Sequence, residues 1–301
     1  MMTNETNEVL SPQERKIWLG VLIPEFIVIV IINAFTIFAF ARKHHLRKRT
    51  TYLIINLTVA DLLVGAATGP LETYTLYLDK IEPGYCFRWR EFAILTFSLI
   101  FPLASQANLS LISLERLHAT LYPFRHCLIE KWFYFKMIIS SWLIALLLSS
   151  VMAVLNLCAP GAILYALASS HYFLTFLILT ISYAIINYSM KSNPLPYHSG
   201  SVASDRKLSL TLLIVTVLSI LTILPQAVRL SIPRNVQIGE LSRDTKVGIG
   251  FTVIVLYFAN SVVNPLIYAI RMQEFRKAVR ELTCKKTVEL PRAQAIELHA
   301  M

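Results

Sequence analysis

Residues 246–270 read KVGIGFTVIVLYFANSVVNPLIYAI, an apolar run with a group of polar residues in its second half. A helix needs about 20 consecutive apolar residues to cross the hydrocarbon core of a bilayer, and this run is long enough. Six similar runs precede it, at residues 17–41, 50–76, 91–120, 133–157, 163–190 and 207–231. We therefore predict an all-α membrane protein, with a seven-transmembrane helix bundle over residues 17–270.

The composition favours a membrane protein over a soluble one. Hydrophobic residues make up 55% of the 301 residues, charged residues only 15%, and the mean hydropathy is +0.58. A soluble protein this apolar would have too little polar surface to face water. The net charge of +10 does not indicate a nucleic-acid partner, because the Lys and Arg residues lie in the connections between apolar runs.

The distribution of positive charge predicts the orientation. Most of the 28 Lys and Arg residues fall in segments that are cytoplasmic if the amino terminus is outside, and positive residues tend to stay in the cytoplasm. Residues 1–16 are then an extracellular amino terminus that lacks the apolar core of a signal peptide. Residues 271–301 form a cytoplasmic amphipathic helix and tail. We expect a multi-pass protein of the plasma membrane.

Two segments outside the bundle carry candidate modification sites. Apolar residues recur at three- and four-residue steps from Met272 to Leu282, which predicts a short helix lying on the membrane lipids. Cys284 follows that helix and is either palmitoylated or an unmodified thiol. Asn4 begins an Asn-Glu-Thr sequon on the predicted outer side, so it is a candidate glycosylation site.

Polar residues inside the apolar runs are the candidate functional residues. Asp61 lies midway along the second run, where a charged side chain costs a few kcal/mol, so it must face the interior of the bundle. It is either a functional acid or a neutral structural aspartate that bridges helices. Asn33 and the polar residues of 260–268 supply further groups for one buried polar cluster. No set of nucleophile, base and orienting residue is present at membrane depth, which argues against an enzyme.

The order of these residues resembles the rhodopsin-like (class A) G-protein-coupled receptors over about residues 17–285. The match rests on family residues in every helix, in family order: Asn33, the NLxxAD pattern of 56–61, Ser105, Glu115, Arg116, Pro123, Trp142, Tyr183, Pro225, the NSxxNPxxY pattern of 260–268 and Phe275. The resemblance implies a receptor that transmits binding of an extracellular ligand to heterotrimeric G proteins. Arrestin and a receptor kinase are further expected partners.

The resemblance also implies roles for individual residues. A sodium pocket would serve as an allosteric site that favours the inactive state, and it would be formed by Asp61, Ser105, Asn260, Ser261 and Asn264. Sodium is the only metal expected, and no other cofactor. The G-protein-coupling residues would be Glu115, Arg116, Asp205, Tyr183, Pro265 and Tyr268. Among these, Glu115 and Asp205 would hold Arg116 in the inactive state.

Several positions differ from the family pattern. The residues that normally carry the ligand signal inward are replaced, by Gln106, Thr175, Ser219 and Ile223. Cys86 lies outward of the family's third-helix cysteine, so a Cys86–Cys158 bridge either forms or is missing. The second extracellular connection is very short, and this architecture is most similar to the melanocortin and adenosine-like receptors.

The ligand is not an amine or retinal by this comparison. Ser98 stands where amine receptors place an aspartate, and Phe258 stands where opsins need a lysine. The candidate pocket residues are Ser98, Pro102, His171, Tyr172, Gln226 and Leu230. This mostly apolar set suits a lipid or a small neutral molecule, while a peptide stays open. His171 either senses protons or binds ligand, or it is structural.

Two other classes of function stay open. The replaced signal residues would fit a receptor fold that no longer signals and acts as a decoy or trafficking partner. A seven-helix transporter would need a continuous polar path of intramembrane charges, and Asp61 is nearly alone.

Overall fold

The computed structural model describes eight segments of the chain. They are residues 10–42, 51–78, 88–158, 161–192, 200–232, 242–271, 275–277 and 279–280, with the side chains of 190, 200–212, 215 and 271 left out. Within these residues every regular element is a helix. This confirms the predicted fold class, since an α-helix satisfies its own backbone groups in lipid.

Seven long helices correspond to the seven predicted runs. They are α1 Pro12–Arg42, α2 Thr51–Leu63 with its continuation Val64–Thr68 and Gly69–Leu78, α3 Trp89–Leu121, α4 Lys131–Cys158, α5 Gly161–Ser192, α6 Gly200–Ser231 and α7 Arg243–Arg271. Among the described residues, six of them are long and apolar enough to cross a membrane, and α6 carries a shorter apolar part, Thr216–Ser231. A short helix, Pro123–Cys127, follows α3.

The bundle is arranged around α2 and α3. In both helices 61% of the most apolar window is buried, whereas in α1, α4 and α5 the buried share is 28%. The outer helices therefore present most of their apolar side chains outward, as expected for a surface that faces lipid. Helix α3 packs against α2, α4 and α5, while α7 packs against α1 and α6.

The second helix changes its winding next to Asp61. Residues Val64–Thr68 form a π-helical turn, a feature that often marks functional sites. Gly65 inside this turn and Gly69 directly after it pack on Phe26 of α1, and a Cβ at Gly69 would lie 2.6 Å from the Phe26 ring. Any larger residue at Gly69 would push α1 and α2 apart.

The two ends of the bundle have different contacts. At the end that carries Arg116, called here the Arg116 end, Phe40 of α1 packs on Phe275 with ring centroids 5.3 Å apart. Residues 275–277 are helical and Phe275 is buried, in agreement with a short helix after α7. At the opposite end, the Trp18 end, Trp18 of α1 stacks on Phe251 of α7 at 4.6 Å.

Candidate functional site

Asp61 lies at the centre of a buried polar cluster formed by three helices. Its Oδ1 atom accepts hydrogen bonds from Ser105 of α3 at 2.7 Å and from Ser261 of α7 at 2.9 Å. Its Oδ2 atom accepts one from Asn264 Nδ2 at 2.7 Å. Asp61 is fully buried. The contacts bring together four of the five residues predicted for the sodium pocket.

The fifth predicted residue, Asn260, borders the same region. Its Oδ1 accepts a hydrogen bond from Thr222 of α6 at 3.4 Å. A small internal cavity adjoins the cluster and is lined by Val64, Pro102, Ser105, Gln106, Tyr257, Phe258, Asn260 and Ser261. The amide oxygen of Asn264 is buried and has no hydrogen-bond partner among the described residues.

The donor set of this cluster fits a sodium ion. It offers one carboxylate, two hydroxyl oxygens and amide oxygens beside a cavity, and hard cations prefer oxygen ligands. The described part of the chain contains no group of three or more His, Cys, Asp or Glu residues suited to another metal. Asn33 anchors the cluster to α1, because its Nδ2 donates to the Ser261 carbonyl at 3.0 Å. Sodium binding itself stays a prediction.

A second polar network ties α2 to α3 and α4. Asn56 Nδ2 donates to Asn108 Oδ1 at 2.6 Å, and Trp142 Nε1 donates to Asn56 Oδ1 at 3.0 Å. Asn108 is fully buried. This network fixes the rotation of α2 on the Arg116 side of Asp61. It therefore helps to position Asp61, although none of its residues contacts the carboxylate.

The Glu115–Arg116 pair closes the Arg116 end of the bundle. Arg116 Nε donates to Glu115 Oε2 at 2.5 Å and Arg116 Nη2 donates to Oε1 at 2.6 Å. His126 Nε2 and the Tyr134 hydroxyl donate to the same Oε1 atom, at 2.8 and 3.2 Å. Glu115 and Arg116 are both buried. Four donated hydrogen bonds to one carboxylate hold it in place.

Sequence reasoning missed His126 and Tyr134 as members of this group. His126 comes from the short helix after α3 and Tyr134 from the start of α4, so only the folded chain brings them to Glu115. The predicted partner from α6, Asp205, lies in a helical segment whose side chains are outside the described set. Its contact with Arg116 therefore stays a prediction.

Two predicted coupling residues, Tyr183 and Tyr268, carry buried hydroxyls at the Arg116 end. The Tyr268 hydroxyl has no hydrogen-bond partner among the described residues, whereas the Tyr183 hydroxyl bonds to Thr216 of α6. Tyr268 follows Pro265, which lies inside α7. A buried hydroxyl without a partner, like that of Tyr268, is costly.

The predicted ligand residues lie toward the Trp18 end, and the lining there is more polar than expected. His171 Nε2 donates to Gln106 Oε1 at 3.2 Å, and the Tyr172 and Tyr257 rings lie 6.4 Å apart. Arg229 Nε donates to Gln226 Oε1 at 3.2 Å. Gln106, Tyr257 and Arg229 add hydrogen-bonding groups beside the predicted residues, and the mostly apolar pocket stays a prediction.

The other three predicted pocket residues contribute little polarity. The Ser98 hydroxyl donates to carbonyls of its own helix, those of Ile94 at 2.9 Å and Leu95 at 3.2 Å. Pro102 lines the internal cavity, and Leu230 is a buried apolar side chain. Ser98 is therefore not free to act as a counterion or a strong ligand contact.

The sequence profile of the rhodopsin family of seven-transmembrane receptors matches residues 32–268. The chain belongs to this family. Its members are receptors and not enzymes. As a member, this receptor is a multi-pass membrane protein.

Individual relatives are similar to this receptor over different lengths. The mouse (Mus musculus) galanin receptor type 2 is 28% identical over 91% of this chain and 79% of its own length. The mouse histamine H4 receptor is 27% identical over 50% of this chain and 38% of its own length. Dopamine receptor 2 of Drosophila melanogaster is 34% identical over 31% of this chain and 17% of its own length. The match therefore covers less than half the length of these last two relatives. The predicted likeness to melanocortin and adenosine-like receptors gains no support from these relatives.

The receptor contains another intramembrane acid that sequence reasoning missed. Glu25 lies in α1 directly after Pro24, and both of its carboxylate oxygens are buried without a hydrogen-bond partner among the described residues. Its position in the first apolar run was visible in the sequence. The expectation that Asp61 is nearly the only charged residue within the membrane-spanning runs is therefore too strong.

The predicted modification sites of the receptor are mostly outside the described residues. This applies to Asn4, Cys86 and Cys284. Cys158 ends α4 as an exposed, free cysteine, and its pairing with Cys86 stays a prediction.

Proposed function

We propose that this receptor transmits binding of an extracellular ligand to heterotrimeric G proteins at the plasma membrane. Its amino terminus is outside and the Arg116 end faces the cytoplasm, in line with the distribution of Lys and Arg. The single observation that carries the proposal is the buried Arg116, which Glu115 holds by two hydrogen bonds. Arrestin and a receptor kinase are the other cytoplasmic partners.

The resting arrangement is the one described, in which Arg116 is bonded to Glu115. Activation separates the two side chains and opens the Arg116 end. The Tyr268 hydroxyl then finds a partner that it lacks among the described residues at rest, which lowers the free energy of the open arrangement. An agonist acts by binding the open arrangement more tightly, since only differential affinity shifts such an equilibrium.

Sodium stabilises the resting arrangement in this proposal. Asp61 would supply the charge, and the oxygens of Ser105, Ser261 and Asn260 would complete the coordination. The ion would join α2, α3 and α7, so it would oppose any movement of α7. Asn264 would orient the Asp61 carboxylate through its hydrogen bond to Oδ2.

The ligand is a small molecule, lipid or peptide that is neither retinal nor a typical amine. The names of the relatives include amine and peptide receptors, but an amine would need a counterion, and the Ser98 hydroxyl is directed to its own helix. The polar groups of His171, Gln226 and Arg229 favour a ligand that carries hydrogen-bonding groups. Tyr172 and Leu230 would contact its apolar part.

A receptor fold that no longer signals is the second candidate function. The observation that favours it is the loss of the usual apolar contacts between α3, α5 and α6. Thr175 and Ser219 are buried at those positions. Such a protein would act as a decoy or a trafficking partner.

The test is the variant Arg116→Ala, compared with the exposed-site variant Arg125→Ala. Purified receptors in lipid nanodiscs are mixed with Gi, Gs or Gq heterotrimers, and GTPγS binding is measured. We expect the wild type and Arg125→Ala to accelerate exchange on at least one heterotrimer, and Arg116→Ala to lose that activity. Equal activity of Arg116→Ala would refute the coupling role, and no exchange by the wild type on any heterotrimer would favour the second candidate.

A further inference from the structure

One buried amide connects three helices above the Asp61 cluster. Gln106 of α3 is 2% exposed. Its Oε1 atom accepts a hydrogen bond from His171 Nε2 of α5 at 3.2 Å, and its Nε2 atom donates one to the Tyr257 hydroxyl of α7 at 3.1 Å. A single side chain therefore links α5 and α7 to α3.

The connection lies between the predicted ligand residues and the predicted sodium pocket. His171 and its neighbour Tyr172 belong to the ligand residues. Gln106 and Tyr257 line the internal cavity, and so do Ser105 and Ser261. Both serines donate to Asp61. A movement of His171 can therefore be transmitted to Asp61 through the hydrogen bonds of Gln106 and through α7.

Small hydroxyl side chains interrupt the apolar packing of these helices at this level. Thr175 of α5 and Ser219 of α6 are buried, and the Ser219 hydroxyl has no partner among the described residues. Short hydroxyl side chains fill less space than the large apolar groups that usually interlock helices. A buried amide is tolerated only when it is hydrogen-bonded, and both polar atoms of Gln106 are.

We propose that Gln106 is the positioning residue that keeps α5 and α7 in the resting arrangement through its hydrogen bonds to His171 and Tyr257. This inference rests on the proposed function, since it assigns the step between ligand and Asp61. A ligand whose polar group takes the place of the Gln106 amide as the hydrogen-bond partner of His171 releases α5 from α3. A ligand that does the same at Tyr257 releases α7 from α3. The agonist class is therefore a molecule with a hydrogen-bonding group that reaches the depth of Gln106.

The structure sets the size of the expected effect. Tyr257→Phe removes one of the two bonds and keeps the ring that packs on Tyr172 and Phe258. Loss of one net hydrogen bond changes an equilibrium about fivefold. We expect Tyr257→Phe to raise the ratio of open to resting receptor about fivefold, and Gln106→Leu to raise it further. The double variant should raise it at least as far as Gln106→Leu, because the Tyr257 hydroxyl also bonds to Tyr172.

A fluorescent label on Cys127 measures this ratio without a G protein. Cys127 is exposed on the short helix at the Arg116 end, and Ser replaces the other three cysteines. Glu115→Gln calibrates the signal by weakening the hold on Arg116 directly. Thr252→Val is the matched control, since the Thr252 hydroxyl bonds only to the Gly248 carbonyl of its own helix at 2.8 Å.

We expect the label in Tyr257→Phe and Gln106→Leu to shift toward the Glu115→Gln signal, while Thr252→Val matches the wild type. Unshifted labels in both variants would overturn the inference, and so would a lower melting temperature without a label shift, which would indicate a purely structural role. If Gln106→Leu does not fold, Tyr257→Phe decides alone. GTPγS binding by the same samples tests the proposed function separately, because the label reports the helix arrangement even when no heterotrimer responds.

Discussion

Glu115→Gln is the most direct test of the closed Arg116 end. The substitution keeps the size of the side chain and its Oε1 acceptor, so the bonds from His126 and Tyr134 at 2.8 and 3.2 Å can persist. It removes the negative charge opposite Arg116, whose side chain is only 3% exposed. The resting arrangement therefore loses its charge pair while its packing is retained.

The magnitude follows from the two bonds of the Arg116 guanidinium, at 2.5 and 2.6 Å. The bond to Oε1 becomes neutral and weakens by about 1 kcal/mol, and the bond from Arg116 Nε is lost because the NH2 group that replaces Oε2 cannot accept it, so the resting arrangement loses at least roughly 2 to 3 kcal/mol. This loss changes the ratio of open to resting receptor roughly 30- to 150-fold. An open population of about 1% would rise to between roughly 20% and 60%.

The assay is ligand-free GTPγS binding with purified receptor in nanodiscs, at equal receptor concentration. We expect the basal rate of Glu115→Gln to exceed that of the wild type by roughly 20-fold or more, in proportion to the open population. Glu130→Gln, a change of the same chemistry at an exposed position, serves as the control and should behave as the wild type. A basal rate of Glu115→Gln within twofold of the control would refute the reasoning.

Three further predictions concern the same machinery. Asp61→Asn should make basal GTPγS binding equal in NaCl and choline chloride, and a retained sodium effect would exclude the proposed pocket. Trp142→Phe leaves the Asn56 amide oxygen without its donor, so the free energy of unfolding should fall by about 1 to 3 kcal/mol. Thermal unfolding checks this against Trp132→Phe, which changes an exposed residue, and equal melting temperatures would contradict it. Asp205→Ala should raise basal GTPγS binding, whereas a decrease would argue against its contact with Arg116.

The sequence by itself determined the number and the type of the membrane crossings. Each apolar run contributes its own transfer free energy to the bilayer, so its length and composition suffice without knowledge of the neighbouring helices. The polar residues at fixed positions inside those runs were also enough to predict the family, which the match over residues 32–268 confirms. Four of the five residues predicted for the sodium pocket meet at Asp61 for the same reason, since the family's spacing places each one at a known depth and on a known side of its helix.

Only the tertiary structure decided which side chains bond to one another. Gln106 is separated by 65 residues from His171 and by 151 from Tyr257, and no local pattern relates them. His126 and Tyr134 reach Glu115 because of how the short helix and α4 turn toward α3. A hydrogen bond requires two atoms within about 3 Å of each other, so it depends on the rotation and vertical position of each helix. Those are fixed by packing among all seven helices, as the contact of Gly69 with Phe26 demonstrates, and the physical interactions that set them act between residues far apart in the chain.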